Sequence, residues 1–394
     1  MKNGWIRTPL SEVAAVQSGA GFPDRYQGHA DREIPFYKVS DMNIAGNEHE
    51  MVYENNSITE EVRRKLRAFL FPKGSTIFPK IGGAIATNKK RLTTRDCCVD
   101  NNVMGVIPRP GKIESDFLFY FFLAHDLSEF ANEAHLPSIK KTVVESWPII
   151  LPASLPEQHR IVGILDEAFG GIATAKANAE KNLQNARALF KSHLHEVFTQ
   201  RSPGWVEKPL GDVCTFIGGS QPPKSVFSKT QAADNVRLIQ IRDYKSDKHV
   251  VFIPRSQARR LCKADDIMIG RYGPPIFQIL RGLEGAYNVA LMKAVPDESK
   301  LSRDFLFYFL KHSAIQQYVI FHSERAAGQS GLNKDTLEPY PIAYPSLKEQ
   351  VKVVHVNGEL ESAVERLAAL YQQKLAALDA LKKSLLHQAF SGEL

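Results

Sequence analysis

The sequence predicts an α+β protein in which two similar mixed α/β domains are separated by two long antiparallel helices that form an intramolecular coiled coil. Three observations support this fold class. The 394-residue chain contains an internal repeat, each copy ends in a long segment with helical apolar spacing, and each segment begins with a helix-capping signal. We place a first domain at residues 1–152, a central helix at 153–200, a second domain at 201–345 and a C-terminal helix at 346–394.

The internal repeat covers most of the chain. Gly-Trp-Ile at residues 4–6 recurs as Gly-Trp-Val at 204–206, and Pro-Leu and Val follow at the same spacing in both copies. The run Asp-Phe-Leu-Phe-Tyr-Phe at 116–121 returns at 304–309. Solenoid repeats have periods of about 20–50 residues, so a repeat this long indicates duplication of a whole domain together with its helix.

The two helical segments begin at Ser-Leu-Pro-Glu, residues 154–157, and Ser-Leu-Lys-Glu, residues 346–349. Both are capping-box sequences, in which the serine oxygen accepts a helix N–H and the glutamate reaches back. Apolar residues then recur at steps of three and four, as in a coiled-coil seam. Each helix should run about 40 residues, or about 60 Å. Gly170 and Gly171 weaken the first by about 1 kcal/mol each, so we expect a continuous helix with a soft spot.

An apolar seam of this kind does not by itself identify the partner of each helix. The helices could simply cover a core, or each half could form a homodimer. Because one chain carries both helices on either side of a whole domain, we favour antiparallel pairing within the chain, which makes a spacer rod with a head at each end.

Composition narrows the class of protein. A net charge of +7 and a pI near 9.0 suit a polyanionic partner without requiring one. No run of about 18 apolar residues and no secretory core is present, so the expected compartment is the cytoplasm. The four cysteines show no Cys-x-x-Cys pair, which argues against a disulfide framework or a zinc site.

Within the heads, strands are predicted at residues 36–39, 238–241, 76–78 and 267–269. The aromatic runs near 117 and 305 are predicted to be buried helices rather than base-stacking platforms.

Glycine-bearing loops follow two of the predicted strands and place Lys80 opposite Arg271. Glycine lets the backbone approach a ligand closely, and a cation there suits a phosphate or a guanine edge. We interpret Arg271 as functional. For the cations at 89–91, a solvated turn is as good an interpretation as a contact with a ligand.

Catalytic motifs are missing from the sequence. Gly-Pro-Pro-Ile-Phe at 273–277 resembles the Asn-Pro-Pro-aromatic motif of adenine methyltransferases, but glycine lacks the amide that bonds the target base. There is no glycine-rich cofactor loop and no nucleotide-binding Gly-x-x-x-x-Gly-Lys loop. We therefore predict no catalytic residue, no metal site and no cofactor on this chain.

The Gly-Trp opening, the strand ends Ser40-Asp41 and Arg242-Asp243, and the duplicated Glu-Gln at 157–158 and 349–350 resemble the specificity subunit of a type I restriction-modification system. The resemblance implies that each head is a target-recognition domain that reads one half of a bipartite, asymmetric DNA site. It also implies that the long helices act as a ruler and dock two DNA methyltransferase subunits, with restriction subunits as possible further partners. S-adenosylmethionine, and ATP and Mg when a motor subunit joins, are then expected on the partners.

Under this interpretation the candidate DNA-binding residues are Lys38, Lys80, Lys89, Lys90, Arg91 and Lys140 in the first head and Arg242, Arg271, Tyr272, Gln278 and Lys334 in the second. A scaffold with peptide-binding heads and a docking rod is the alternative, and an independent methyltransferase is disfavoured by the missing cofactor loop. A mobility-shift assay over a salt series separates a DNA binder from a peptide binder, because phosphate contacts make affinity fall steeply with salt.

Overall fold

The computed structural model describes residues 4–200, 203–324 and 331–394. Its internal contacts divide the chain into two compact units, Met1–Ala179 with Gln373–Leu394, and Glu180–Gln372. Each unit therefore contains one head and a segment of each long helix. The two predicted mixed α/β domains and the two long helices are both present, which confirms the fold class.

The first half builds its head from three small sheets. Their strand orders are β2-β9-β6-β7-β4, β5-β3-β8 and β1-β10. The strands are β1 (Trp5–Pro9), β2 (Ala14–Ser18), β3 (Ile34–Tyr37), β4 (Glu50–Met51), β5 (Ser57–Ile58), β6 (Thr76–Pro79), β7 (Arg91–Thr93), β8 (Cys98–Val99), β9 (Val103–Pro108) and β10 (Pro148–Pro152). The helices are α1 (Glu60–Leu66), α2 (Ser115–Ala124), α3 (Lys141–Ser146) and α4 (Leu155–Thr199).

The second half repeats this plan with strand orders β12-β19-β16-β17, β14-β13-β18-β15 and β11-β20. Its strands are β11 (Val206–Pro209), β12 (Cys214–Gly218), β13 (Asn235–Ile239), β14 (Phe252–Pro254), β15 (Leu261–Cys262), β16 (Ile267–Gly270), β17 (Gln278–Leu280), β18 (Gly285–Tyr287), β19 (Leu291–Pro296) and β20 (Pro341–Tyr344). Its helices are α5 (Arg303–Lys311), α6 (Ser313–Glu324), α7 (Lys334–Leu337) and α8 (Leu347–Ser391).

The aromatic runs form helices α2 and α5, as predicted. Their phenylalanine and tyrosine side chains are buried in the main core of each head, with Phe117 and Phe305 fully inaccessible to solvent. They therefore stabilise the heads and present no stacking surface to a base, which confirms the prediction of a core role.

The strands predicted at 36–39 and 238–241 end two residues early. The side chain of Asp41 accepts the backbone N–H of Lys38 at 2.7 Å, and Asp243 accepts that of Gln240 at 2.9 Å. An aspartate that accepts a hydrogen bond from the nearby backbone competes with strand pairing, so the backbone turns into a short 3₁₀ segment at both places.

Both long helices are continuous. Gly170 and Gly171 lie inside α4 without breaking it, as predicted. The predicted serine cap is present at the start of α4, where Ser154 Oγ accepts the N–H of Glu157 at 3.4 Å. At α8 the Ser346 hydroxyl instead donates to the Glu349 carboxylate at 2.9 Å.

Both long helices contribute to each unit, and two contacts in the first unit show that they run antiparallel there. In the first unit Lys176 Nζ lies 2.6 Å from Asp379 Oδ1, and Arg160 donates to the carbonyl of Leu394 at 3.1 Å. In the second unit, apolar residues of α4 and α8 join the same core, among them Phe190 and Val353. The intramolecular pairing predicted from the seam is therefore observed.

Each head packs against the end of the long helix from the other half of the chain. The Phe390 ring of α8 lies 5.1 Å from Phe117, and the Phe198 ring of α4 lies 5.3 Å from Phe305. Because Phe198 and Phe390 occupy equivalent positions of the repeat, both units use the same aromatic contact.

All four cysteines are buried and unpaired. Burial raises the pKa of Cys98 and Cys214 to about 12 and that of Cys262 to about 11, so their reactive thiolate forms are disfavoured. Within residues 4–200, 203–324 and 331–394, none of the helices has an apolar stretch of the length that a membrane span requires.

Candidate nucleic-acid interface

A group of polar side chains gathers at one edge of the first head, where several strands end. Lys80 directly follows β6. Its N–H donates to the carbonyl of Asn102 at 2.8 Å, and its carbonyl accepts the N–H of Ile139 at 2.9 Å. These bonds bring the end of β6, the turn before β9 and the segment before α3 to one edge.

The second head repeats this backbone arrangement around Arg271. The N–H of Arg271 donates to the carbonyl of Ala290 at 2.9 Å, and its carbonyl accepts the N–H of Leu332 at 3.0 Å. Lys80 and Arg271 therefore hold equivalent positions, as the repeat in the sequence indicated.

Two glycines that were not selected from the sequence shape this edge. Gly19 and Gly219 follow β2 and β12, and a Cβ on either would lie about 2.0 Å or 1.9 Å from the carbonyl oxygen of Asp100 or Asn288. Only glycine permits so close an approach between two backbones. Their equal spacing from the two Gly-Trp openings was the signal that could have identified them.

Lys38 and Gln240 provide the first chemical difference between the heads. Both are half-buried and precede the equivalent 3₁₀ segments. Lys38 Nζ donates to Gln27 Oε1 at 2.8 Å. Burial raises the pKa of Asp100, while hydrogen bonds from Asn102 and the nearby Lys38 ammonium oppose that shift. Lys38 and Asp100 therefore share one electrostatic neighbourhood.

The side chain of Lys80 extends this cluster. Its ammonium donates to Ser18 Oγ at 3.1 Å, and burial lowers its pKa while the Asp100 carboxylate acts in the opposite direction. Lys38, Lys80 and Lys140 thus belong to one edge of the first head, with Lys140 exposed immediately before α3.

Lys140 and Lys334 are not equivalent. The residue before α7 is Asn333, so Lys334 corresponds to Lys141. Lys334 is exposed and lies 3.4 Å from Glu338, an ion pair that contributes little at the surface.

Lys90 and Arg91 lie inside the first head, whereas the sequence predicted either a DNA contact or a solvated turn for them. Lys90 is 2% exposed; its ammonium donates to Asn88 Oδ1 at 2.6 Å and to the carbonyl of His125 at 2.7 Å, and burial lowers its pKa to about 8. Arg91 donates to the carbonyls of Lys90 and Met42 at 2.8 and 2.9 Å. In this conformation neither side chain reaches the surface, so both are left out of the proposed DNA contacts.

Lys89 is half-buried, and its ammonium contacts the side chain of Asn43. It is the member of the 89–91 run that remains accessible.

The Arg271 guanidinium joins two loops of its own head. It donates to the carbonyl of Leu332 at 2.8 Å, to that of Val289 at 3.2 Å and to Asn333 Oδ1 at 3.3 Å. Three donors are therefore engaged within the protein. This geometry favours a role in positioning the loop over a direct bidentate contact with a base.

The neighbours of Arg271 carry the accessible groups. The Tyr272 ring is 40% exposed and lies 5.4 Å from the guanidinium carbon of Arg271. Gln278 donates to the carbonyl of Pro275 at 3.0 Å at the start of β17. Arg242 is exposed in its 3₁₀ segment.

Each head also has a second basic region, which was not predicted from the sequence. In both heads, cations cluster between the edge strand β5 or β14 and the following long strand, and the local density of lysine and arginine was the available signal. Salt bridges to Glu60 and Glu61 partly neutralise the first cluster. The residues concerned are Arg63, Arg64, Lys65 and Arg67 in the first head and Arg255, Arg259, Arg260 and Lys263 in the second.

The part of the chain that the structure describes holds no group of three or more His, Cys, Asp or Glu side chains that could bind a metal ion. The edge offers ammonium, guanidinium, amide and hydroxyl groups, which are the groups that contact phosphates and base edges.

Comparison with known proteins identifies the family. A family model described as the type I restriction modification DNA specificity domain matches residues 2–183 and 203–373. The MjaIX specificity subunit of Methanocaldococcus jannaschii is 23% identical over 63% of this chain and 65% of its own length. The StySPI specificity subunit of Salmonella potsdam is 20% identical over 100% of this chain and 90% of its own length.

Solved structures share the fold. One belongs to a study of complex assembly and conformational transition of the type I restriction-modification system, with a TM-score of 0.79, 20% identity and coverage of 100% of this chain and 99% of that chain. Another is the HsdS subunit of Thermoanaerobacter tengcongensis, with a TM-score of 0.60, 21% identity and coverage of 100% and 98%.

These findings support DNA recognition over a peptide-binding scaffold. Because the family model matches once in each half, the chain belongs to the type I restriction-modification specificity subunits and serves DNA recognition in such a system.

Proposed function

We propose that this chain is the non-catalytic subunit that reads a bipartite, asymmetric DNA site, one half-site per head, and directs methyltransferase subunits to that site. One observation carries the proposal: the two heads share a backbone arrangement at the strand-end edge but place different side chains on it. Lys38 corresponds to Gln240, and Lys80 corresponds to Arg271.

The side chains differ in the base edges that they can bind. A lysine ammonium suits the O6 and N7 acceptors of guanine, whereas a glutamine amide can both donate to and accept from adenine. Exposed cations such as Lys140 and Lys334 would neutralise phosphates and set the position of each head on the duplex. Different side chains on one backbone arrangement therefore predict two different half-sites.

The partners follow from the relatives, which are named as subunits of restriction enzymes. We expect two methyltransferase subunits to dock on the long helices and to bring S-adenosylmethionine. A restriction subunit would bring ATP and Mg. The chain itself is proposed to bind DNA and protein partners only.

The test compares the chain alone with the chain plus methyltransferase subunits. Alone, it is expected neither to methylate nor to cut DNA. With the subunits, sequencing of methylated bases should reveal one bipartite sequence. Turnover by the lone chain would refute the non-catalytic role, and methylation without sequence preference would refute the reading role.

A further inference from the structure

An arginine of the second basic region lies at the strand-end edge of the second head. β15 runs antiparallel to β18, with Leu261 opposite Ala286. One residue closer to the edge, the carbonyl of Arg260 accepts the N–H of Tyr287 at 3.1 Å. Because β18 ends at Tyr287, Arg260 lies beside the carboxyl end of the strand that leads to Asn288.

Arg260 lies close enough to Gln240 for both side chains to face one groove of a duplex. β18 lies between β15 and β13, and β13 ends directly before Gln240. Neighbouring strands are about 4.8 Å apart, so two spacings separate the two backbones by about 10 Å. The major groove of DNA is about 12 Å wide. One groove can therefore accommodate both residues.

The guanidinium of Arg260 is exposed and available to a ligand. Within the part of the chain that the structure describes, its side chain forms no ion pair and no hydrogen bond. Burial raises the pKa of Tyr287 to about 12, and the nearby charge of Arg260 acts in the opposite direction. Arg271 uses three donors inside the protein, whereas Arg260 keeps its whole fork of donors free.

In the first head the same position holds an aromatic residue. Phe71 exchanges two backbone hydrogen bonds with Cys97, at 2.8 and 2.9 Å, in the way that Cys262 pairs with the start of β18. Two residues earlier, Phe69 therefore holds the position of Arg260. The Phe69 ring is 40% exposed and lies 5.0 Å from the Phe71 ring in an edge-to-face arrangement. The repeat thus matches an exposed ring with an exposed guanidinium.

The two side chains have affinity for different bases. A guanidinium can donate two hydrogen bonds to the O6 and N7 atoms of guanine, whereas an apolar ring can contact the methyl group of thymine. All of these groups lie in the major groove. Different side chains at one position of the repeat fit the two different half-sites of the proposed function.

We propose that Arg260 and Phe69 each read one base pair, through a guanine in the half-site of the second head and a thymine in the half-site of the first. The proposal rests on the proposed function and adds the base that each position recognises. Arg260 makes a bidentate contact with the guanine, and Phe69 contacts the methyl group of the thymine.

The test of Arg260 measures the affinity of the full-length chain, in complex with methyltransferase subunits, for duplexes that carry its recognised sequence. 7-Deazaguanine replaces each guanine in turn, which removes the N7 acceptor and keeps the base pair. At one position the wild-type complex should bind about tenfold more weakly, because a hydrogen bond to a charged group is lost. Arg260→Ala should bind the two duplexes equally.

Two further variants separate base reading from charge. Arg260→Lys keeps the charge but loses the paired donors, so discrimination between guanine and other bases should fall about 5- to 150-fold while the salt dependence is kept. Arg255→Ala is the matched control. Arg255 is an exposed arginine that follows β14 at the other end of the sheet, where Pro254 pairs with Asn235. This variant should keep the discrimination at every position.

The test of Phe69 uses uracil in place of each thymine, which removes only the methyl group. At one position in the other half-site, the wild-type complex should bind the uracil duplex about fourfold more weakly, the effect of one buried methyl group. Phe69→Ala should bind the two duplexes alike, and Phe69→Leu should keep part of the preference because its side chain is still apolar.

Val52→Ala is the control for Phe69. Val52 is an apolar residue of the same head and is 45% exposed. It follows β4, whose last residue pairs with Thr93, and Thr93 lies beside the start of β6, whereas the strand-end edge lies beyond the end of β6. This variant should keep the full preference for thymine. A misfolded variant would lose affinity for all duplexes, so a loss confined to one base pair identifies a contact.

Two results would overturn the proposal. One is a uniform loss over all sequences in Arg260→Ala, which would make Arg260 a phosphate contact. The other is a preference for thymine over uracil that is unchanged in Phe69→Ala. The proposed function is judged separately, by the wild-type complex. Absence of any sequence preference in that complex refutes the reading role, whereas a bipartite preference without these base-specific losses refutes only the assignment of the two bases.

Discussion

At the residue scale, Arg271 was predicted to act through its positive charge, but its contacts depend on the shape of its guanidinium group. Its planar guanidinium donates to Leu332, Val289 and Asn333 at once. A lysine ammonium keeps the charge but cannot reach three separated acceptors. The arrangement of the loop that carries Tyr272 should therefore depend on arginine itself.

Arg271→Lys is expected to reduce discrimination between DNA sequences in one half-site by about 1–3 kcal/mol, which is the range for a lost base contact. The reason is that the loop that carries Tyr272 loses its anchor. The other half-site should be read as before. Competition binding with duplexes altered in one half-site at a time measures both effects. Lys334→Gln is the control, and it should weaken binding to all sequences alike and lower the salt slope by about 1. Full discrimination by Arg271→Lys would show that charge alone is needed.

Because of the buried Lys90, the free energy of unfolding should depend on pH. Its pKa falls from 10.5 to about 8 because burial disfavours the charged form. Between these values the unfolded chain holds the proton and the folded chain does not, so unfolding takes up a proton and stability rises with pH. From pH 8 to 10 this residue should add about 2 kcal/mol to the free energy of unfolding. Denaturant titrations of wild type and Lys90→Met across this range should diverge by that amount, and parallel curves would contradict it.

At the element scale, the start of each long helix is tied to its head by a buried glutamine. The Gln158 amide oxygen accepts the N–H of Glu114 at 2.9 Å, and its nitrogen donates to the carbonyl of Pro152 at 2.9 Å. In the second half, the Gln350 amide oxygen accepts the N–H of Ser302 at 2.8 Å, and its nitrogen donates to a backbone carbonyl just before α8. The duplicated Glu-Gln motif is therefore a structural joint between head and helix.

Gln158→Met should lower the free energy of unfolding by about 2–4 kcal/mol, since buried backbone groups lose their partners at about 1–3 kcal/mol each. Urea titration followed by circular dichroism measures the loss. The same substitution at Gln184, an exposed position of the same helix, should change stability by less than about 0.5 kcal/mol. Equal effects at the two positions would show that the joint contributes nothing specific.

At the scale of the whole molecule, the duplication predicts independent half-sites. Exchange of residues 201–345 for the matching segment of a relative should change one half of the methylated sequence and preserve the other, because the edge around Lys80 stays intact. Methylation mapping of the chimera with its methyltransferase subunits provides the measurement. Simultaneous loss of both halves would show that the two heads form one composite site.

The fold class was accessible from the sequence because its signals are local or periodic. The Gly-Trp openings, the capping serines and the apolar spacing of α4 and α8 can be read without knowledge of distant contacts. The continuity of α4 through Gly170 and Gly171 followed from the same pattern. Where prediction failed locally, at the ends of β3 and β13, the cause was a side chain that bonds the backbone three residues earlier.

The candidate site was less accessible, because charge and glycine content show what a side chain can do and do not show where it points. The sequence alone determined that the protein is duplicated, that each half holds a head and a long helix, and that Lys80 and Arg271 are equivalent. Only the tertiary structure decided that Lys90 and Arg91 are buried and that Arg271 holds two loops. Their partners, such as His125 and Leu332, lie far along the chain. Contacts between such distant residues form when the sheets and loops assemble, and no local pattern records them.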